Sequence, residues 1–557
     1  MITQVVLSLA TLAIVAILPL SLAAGPNLTT LALSPLGGAL LAAWAAEGEL
    51  FVGGAFVEWF VALAIAANAS CAAYVVLSRR TSAAAGPGIS SKARPWARCS
   101  QWRRPPRNAE ERMPSASSIA VSETARRRRY TRLRHVVRIL PSPAPSNLGV
   151  QKLELAILVL VSASPLLLLR ASYVSHDANA IWIFHALWIV AGHRDYLSSI
   201  NNSAYAFSNP SYPPLVSAAI ATSSIFSRHV SAQAAAATVA VLNACALLVA
   251  ALGLAGIGVD RRLPGWLLLL FAAGLVIQGF AFDAPYSVGG DADLLWAGCA
   301  TGAILYGLVL PLRRSHLATA IVCGLVASLT KSEGLACSVV IAVLVAIRCA
   351  STARHPSHTR TDPLDAVPER GRLPLPPVAG TAKLAMAVAG ITLASGLVWF
   401  VGVHALHVGN RFFEGPRSPQ SLGFRLEWIG RGLLFYLPLF ALAGIVEVVG
   451  WLRWRPRRLM LDLGPPWLVW AATGGYLVAL VLTYAVGTLG IRGWLNASLQ
   501  RTMVFPELAL FSEMAVWCVI GGAVTAGQLR SRWLPRISGP GSASTWDSGP
   551  HSGESLQ

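Results

Sequence analysis

A chain of 557 residues that is 55% hydrophobic and only 12% charged, with a mean hydropathy of +0.58, excludes a soluble globular domain and points to repeated membrane-spanning runs. Strand-like alternation is absent, and a backbone in lipid must satisfy its own hydrogen bonds, so an all-α polytopic membrane protein is expected. The net charge of +19 raises nucleic acid as a partner, but residues 79–138 hold sixteen Lys/Arg against three Glu, which puts +13 of it in one stretch. That is the pattern of a cytoplasmic loop, and no nucleic-acid partner is expected.

The first apolar run, roughly 4–24, ends near Ala23–Ala24 with no basic residue before it; it reads as a retained helix rather than a cleaved signal. With a second run at 55–78 it makes residues 1–78 an N-terminal transmembrane hairpin, joined by a Gly/Ala-rich loop carrying Glu47 and Glu49. Residues 79–147, rich in Arg, Pro and Ser, could bury no core and read as a disordered basic cytoplasmic linker that meets anionic lipid or fixes orientation. Apolar runs then recur at about 150–171, 231–258, 264–282, 293–312, 316–330, 334–348, 383–406, 431–452, 466–489 and 504–527. The pair 316–330 and 334–348 is short, so one or both would be tilted or partly spanning. The clusters Arg261–Arg262, Arg313–Arg314, Arg348 with the loop 349–382, Arg453 to Arg458 and Arg530 to Arg536 fall at alternate ends. All of them share one side with the basic linker, so about ten core helices follow the N-terminal pair and both termini lie in the cytoplasm. Residues 531–557 read as a disordered cytoplasmic tail. The eight Cys mostly lie inside apolar runs and show no metal or disulfide spacing.

The opposite, extracytoplasmic face then receives 172–230, 283–292, the turn 331–333, 407–430 and 490–503. Into these few segments fall Asp177, Asp195, Asp283, Asp291, Asp293, Lys331, Glu333, Glu414, Arg411, Arg417, Arg425, Arg492 and Arg501. Asp177 stands just past a long apolar run, at a membrane surface where a carboxylate needs a job or a partner, with Trp182 and Trp188 behind it as interfacial anchors. Ile181, Trp182, His185, Trp188 and Ile189 fall on one face of a helix over 178–191, read as an interfacial helix in the headgroup region. His176, His185 and His193 read as interfacial residues rather than ligands.

The order Asp177–Ala178–Asn179–Ala180–Ile181–Trp182, then Ser208–Asn209–Pro210–Ser211–Tyr212–Pro213–Pro214–Leu215, resembles the first loop of C-type (GT-C) glycosyltransferases. The protein-mannosyltransferase-like and aminoarabinose-transferase-like branches are the most similar. Gly289–Gly290–Asp291–Ala292–Asp293–Leu294 resembles that family's Gly-Tyr-Ala-Asp element, and Leu329–Thr330–Lys331–Ser332–Glu333–Gly334 its Leu-Thr-Lys-Asn-Glu-Gly turn. Ser498–Leu499–Gln500–Arg501, with Pro506 downstream, resembles its Arg-bearing segment. The resemblance covers about 148–530, a GT-C-like core; Asp291 replaces the family's Tyr, and Asn209 and Ser211 stand where a His and an Asp are usual. Residues 1–147 have no counterpart in the pattern; they are an accessory hairpin and tether, or translation starts later, for instance at Met113.

The resemblance implies a polyprenyl-phosphate sugar donor, inversion at the anomeric carbon, and Asp177 as catalytic base. The acceptor would be a hydroxyl of a cell-envelope glycan, a lipid-linked glycan or a protein, at the plasma membrane. Arg501 and Lys331 would hold the departing phosphate. Asp293, Asp291, Glu333, Trp182 and Tyr212 would position donor or acceptor, and a divalent metal on Asp291 and Asp293 stays open. Plainer readings stand beside these: Asp177 and Asp293 as helix caps, Lys331 with Glu333 as a surface ion pair, and Arg501 as a headgroup anchor. Arg411, Arg417 and Arg425 would meet lipid headgroups or substrate phosphate. The rival function is a transporter or flippase of a lipid-linked sugar, which needs an ionisable residue deep in a helix; Glu447, Asp462 and Glu513 are the candidates. A structural scaffold would leave the acids without a purpose.

Overall fold

The computed structural model describes residues 2–24, 27–84, 174–175, 177–227, 229–258, 291–354, 378–410, 412–413, 418–454 and 463–537. The expected spans at 150–171 and 264–282, Met113, His176, Asp283, Gly289–Gly290, Arg411, Glu414, Arg417, Asp462, and most of the linker, the 349–382 loop and the tail lie outside them. The described residues are helical, with no strand among them. Six helices are long and apolar enough to cross a membrane, seven if one bent pair is a single span. The chain is a helical membrane protein, with fewer full spans among the described residues than the dozen expected.

Three helices, not two, open the chain: α1 (Ile2–Ala24), α2 (Leu28–Phe51) and α3 (Phe56–Ala84). The Gly/Ala-rich stretch expected as a loop is α2. Its start is capped by Asn27, whose side chain accepts from Thr30 N at 2.9 Å. Its small residues are the reason it can be central, because they let neighbouring backbones come close in a setting where lipid removes the hydrophobic drive for helix association. A Cβ on Gly38 would overlap the Leu12 backbone, and one on Gly48 would press into the Trp59 ring.

The first long loop folds back over the bundle as α4 (Ala178–Ala191), α5 (His193–Ile200), the 3-10 turn Ser203–Ser208 and α6 (Leu215–Ala221). Trp182 and Trp188 are buried in protein rather than anchored among headgroups. Their apolar face packs on Phe184, Tyr205 and Tyr212 instead of lipid. Next come α7 (Ala232–Gly258) and α8 (Asp293–Val309), which cross closely where a Cβ on Gly298 would sit 3.2 Å from Ala246. Then follow the 17-residue α9 (Arg314–Thr330) and the longer α10 (Ser332–Arg354), so the shorter of the pair is the first. After α11 (Val378–Ala405), the single expected helix at 431–452 is two, α12 (Leu422–Leu434) and α13 (Leu437–Trp454), bent by 59°. The last two are α14 (Trp467–Val486) and the 47-residue α15 (Ile491–Ile537). Residues 490–503, expected as a loop, thus belong almost wholly to α15, and the expected tail is helical as far as Ile537.

α2 fixes the orientation of the N-terminal helices. Its last turn meets α5, where the Glu49 carbonyl accepts from His193 Nδ1 at 2.6 Å. Its first turn meets the far end of α8, where Thr29 Oγ1 lies 3.2 Å from the Tyr306 hydroxyl. α1 runs antiparallel to α2, with Gly37 against Leu20 and Gly38 against Leu12, so α1 begins at the end of the bundle where α8 and α15 start, while α15 ends at the other. Among the described residues, Ile2 and Ile537 thus lie at opposite ends of the bundle, against the expectation that the two terminal helices begin and end on one side.

Candidate functional site

Four segments meet where α8 and α10 begin. Asp177 leads into the π turn Ala178–Ile183 with a helical backbone (φ −65°, ψ −39°), and its side chain makes no capping bond. Ser175 is the cap: its Oγ accepts from Ala178 N at 3.0 Å. Relieved of capping, the Asp177 carboxylate meets Arg501 NH1 of α15, 324 residues away. Arg501 also donates through Nε to Asp293 Oδ2 at 2.7 Å, and Lys331 Nζ donates to Asp293 Oδ1 at 2.6 Å. The readings of Asp293 as a cap, of Lys331 paired with Glu333 and of Arg501 as a headgroup anchor fall with this geometry. Glu333 instead accepts from the Ser332 hydroxyl at 2.9 Å.

The sequence dictates these placements locally. Lys331 is the single residue between α9 and α10 (φ −151°, ψ 160°), and three residues on Gly334 lets the two helices close: a Cβ there would overlap the Ala327 carbonyl oxygen and press on Trp296. Pro213 and Pro214 end the loop before α6, and Asn209 takes the left-handed φ of 52° that Asn tolerates. Tyr212 N closes that turn on the Asn209 carbonyl at 2.9 Å, and Trp399 Nε1 of α11 holds the Ser211 carbonyl at 2.9 Å. Tyr212 thereby stacks on Trp182 at 5.7 Å and faces Lys331 Nζ at 5.9 Å. Phe412 and Trp494 extend the near-parallel aromatic wall, with centroids 6.4 and 5.6 Å apart in turn.

The electrostatics divide the three aspartates. The Asp293 side chain is 5% exposed and neutralised on both oxygens by cations. Asp177 is 31% exposed, the most open member of the cluster. Burial works against its charge, but the Arg501 guanidinium, with Lys331 behind it, outweighs burial and holds the carboxyl below the usual carboxylate range. Asp291 has the reverse balance: burial raises it to about 7 against the pull of Arg501. It accepts from Ser175 Oγ at 2.7 Å, and its backbone carbonyl accepts from Asn243 Nδ2 at 3.1 Å.

Asp177, Asp291, Asp293, Lys331, Arg501, Tyr212 and Trp182 are therefore brought together, while Glu333 stays at the rim. A divalent metal on Asp291 and Asp293 does not fit these residues: Asp293 is held by two cations and Asp291 is turned to Ser175. No group of three His, Cys, Asp or Glu converges among the described residues. Arg425 is not at the site; its guanidinium donates to the Tyr484 carbonyl at 2.7 and 3.0 Å and to Leu489 at 3.0 Å, closing the C-terminal end of α14. Arg492 lies 4.2 Å over the Trp428 ring. His185 is buried on Ser208 at 3.1 Å. Ser175 and Asn243 were missed; a Ser at a helix-capping position and a lone Asn in the apolar run of α7 are the signals that find them.

Comparisons with protein-family models, with curated proteins and with solved structures find no match to this chain.

Proposed function

We propose that the chain is a membrane glycosyltransferase of the C type, moving a sugar from a polyprenyl-phosphate donor to a hydroxyl of a cell-envelope glycan, a lipid-linked glycan or a protein. One observation carries the reading: a partly exposed carboxylate, Asp177, lies against a largely enclosed arginine held by a second acid, Asp293, which a lysine neutralises on its other oxygen. Base and anion-binding cation sit side by side, as inverting transfer from a phosphate requires. Asp177 takes the proton of the acceptor hydroxyl as its oxygen bonds to the anomeric carbon. The bond from that carbon to the phosphate oxygen breaks, and the phosphate leaves with the electron pair. Arg501 exchanges Asp177 for the phosphate at this step, with Lys331 beside it, so positive charge meets developing negative charge in a water-poor site. Asp293 keeps both cations aimed, and the Trp182–Tyr212 wall borders them. The positive-inside pattern supports an extracytoplasmic site, which the proposal takes to be at the plasma membrane.

The test is sugar transfer by membranes containing the chain, offered a panel of polyprenyl-phosphate sugars. Transfer from one member supports the proposal; none from any donor, with the protein present and folded, counts against it. A second reading, a transporter or flippase of a lipid-linked sugar, is favoured by Glu513. This residue is 1% exposed inside α15 and faces Glu447, Trp470 and Trp517, a burial at which a carboxyl group is expensive. Lipid-linked sugar flipping in proteoliposomes is its assay.

A further inference from the structure

The two acid-bearing segments are joined twice, in register. Two residues before Asp177 stands Ser175, and two residues before Asp293 stands Asp291. The inner pair, Asp177 and Asp293, is bridged by Arg501; the outer pair, Ser175 and Asp291, is bonded directly at 2.7 Å. Ser175 does three things at once. It donates to Asp291, its Oγ caps α4 at Ala178 N, and its carbonyl accepts from Asn179 N at 3.1 Å. Whatever fixes Ser175 therefore fixes the first turn of α4, and with it the direction of the Asp177 side chain. Asp291 is itself immobilised: it is fully buried, and Asn243 of α7 holds its backbone carbonyl at 3.1 Å. Its Oδ2 is buried with no hydrogen-bond partner, which makes the residue a poor choice for packing alone, since an apolar side chain would fill the space without that penalty.

We propose that Asp291 is a positioning residue of this site: acting through Ser175, it sets where Asp177 stands relative to Arg501 and Asp293. The role needs a hydrogen-bond acceptor at Oδ1 and not a negative charge. Asn supplies the acceptor, whereas Leu, of similar size, does not. The inference rests on the glycosyltransferase reading only for its kinetic consequences, because the positioning can be read without any transfer.

The experiment compares wild type with Asp291→Asn, Asp291→Leu and Ser175→Ala in detergent or nanodiscs. Amide hydrogen exchange is followed over residues 174–183 together with transfer kinetics. Asp291→Leu and Ser175→Ala are expected to speed exchange in the first turn of α4 by at least about tenfold while the amides of α8 stay protected. Asp291→Asn is expected to exchange as wild type. In transfer, Asp291→Leu should lower kcat by about 10²-fold with the donor KM held within about threefold, and Asp291→Asn should retain the wild-type rate within about threefold. Unchanged exchange in a folded Asp291→Leu overturns the proposal, as does Asp291→Asn losing as much kcat as Asp291→Leu, which would make the charge itself the requirement. If the exchange pattern is found while wild type transfers from no donor, the positioning role stands and the glycosyltransferase reading is what has failed.

Discussion

Arg501 donates through Nε to Asp293 at 2.7 Å while its neighbouring amino group is turned to Asp177. One guanidinium thus joins the first residue of a core helix to the mouth of the first loop. The two acids differ in burial, 5% against 31% exposed, so one is a fixture and the other can be exchanged.

Arg501→Lys is expected to behave as a loss rather than a conservative change. A lysine offers one point charge and cannot serve Asp293 and a second anion in the planar fork geometry. Transfer should fall by about 10²–10³-fold, the range seen when a single anion-stabilising donor is removed. A wild-type rate in Arg501→Lys would mean that the fork has no part in catalysis.

Asp177→Asn is expected to bind a polyprenyl phosphate more tightly than wild type, although it has lost the base. In wild type the lipid phosphate competes with the Asp177 carboxylate for Arg501; Asn removes the competing charge and keeps the side-chain shape. A fall of about tenfold in Kd is expected. Weaker binding in the variant would place Asp177 among the groups that hold the donor.

The pH dependence of stability follows from Asp291. Its carboxyl is raised from 3.8 to about 7 by burial, so the folded protein retains a proton that the unfolded chain has released. The charged form opposes folding, and this penalty grows between the unfolded value and about 7, then stays constant. Asp291→Asn should therefore raise the Tm at pH 8 and leave it nearly unchanged well below pH 3.8, where both states are protonated in wild type. An equal Tm difference at the two pH values would show that the carboxyl does not titrate in this window.

The position of α2 sets a topological expectation. Three helices precede residue 85, so a cysteine introduced at Thr3 and one introduced at Ser90 should react with a membrane-impermeant thiol reagent from opposite sides, with position 3 outside. Labelling of both from one side would restore the hairpin expected from hydropathy.

Much of the site was legible because its acids and cations stand at or near the ends of long apolar runs, where a charge has little structural excuse, and because their motifs follow the order of a known family. Asp177, Asp293, Lys331 and Arg501 could be named from that contrast. Their pairing could not: Lys331 has Glu333 two residues away in sequence, yet its partner is Asp293 of another helix. α2 was missed because Pro35, Gly37, Gly38, Glu47 and Glu49 lower its hydropathy, although small residues are what the centre of a membrane bundle demands. The start of α15 was missed for a related reason. Its first turns carry Arg492, Asn496, Gln500 and Arg501, polar residues that read as a loop until the aromatic wall and Asp293 are there to receive them. Arg425 looked like a headgroup contact, and only the end of α14 shows why a cation is needed there.

The central claim is that Asp177 is the base of an inverting sugar transfer, and the most direct test is transfer by wild type and Asp177→Asn at equal protein levels, with the donor that serves wild type. Asn, which keeps the shape and loses the base, is expected to lower the rate by about 10²–10⁴-fold. Wild-type transfer by Asp177→Asn would contradict it and move the base to another residue of the cluster.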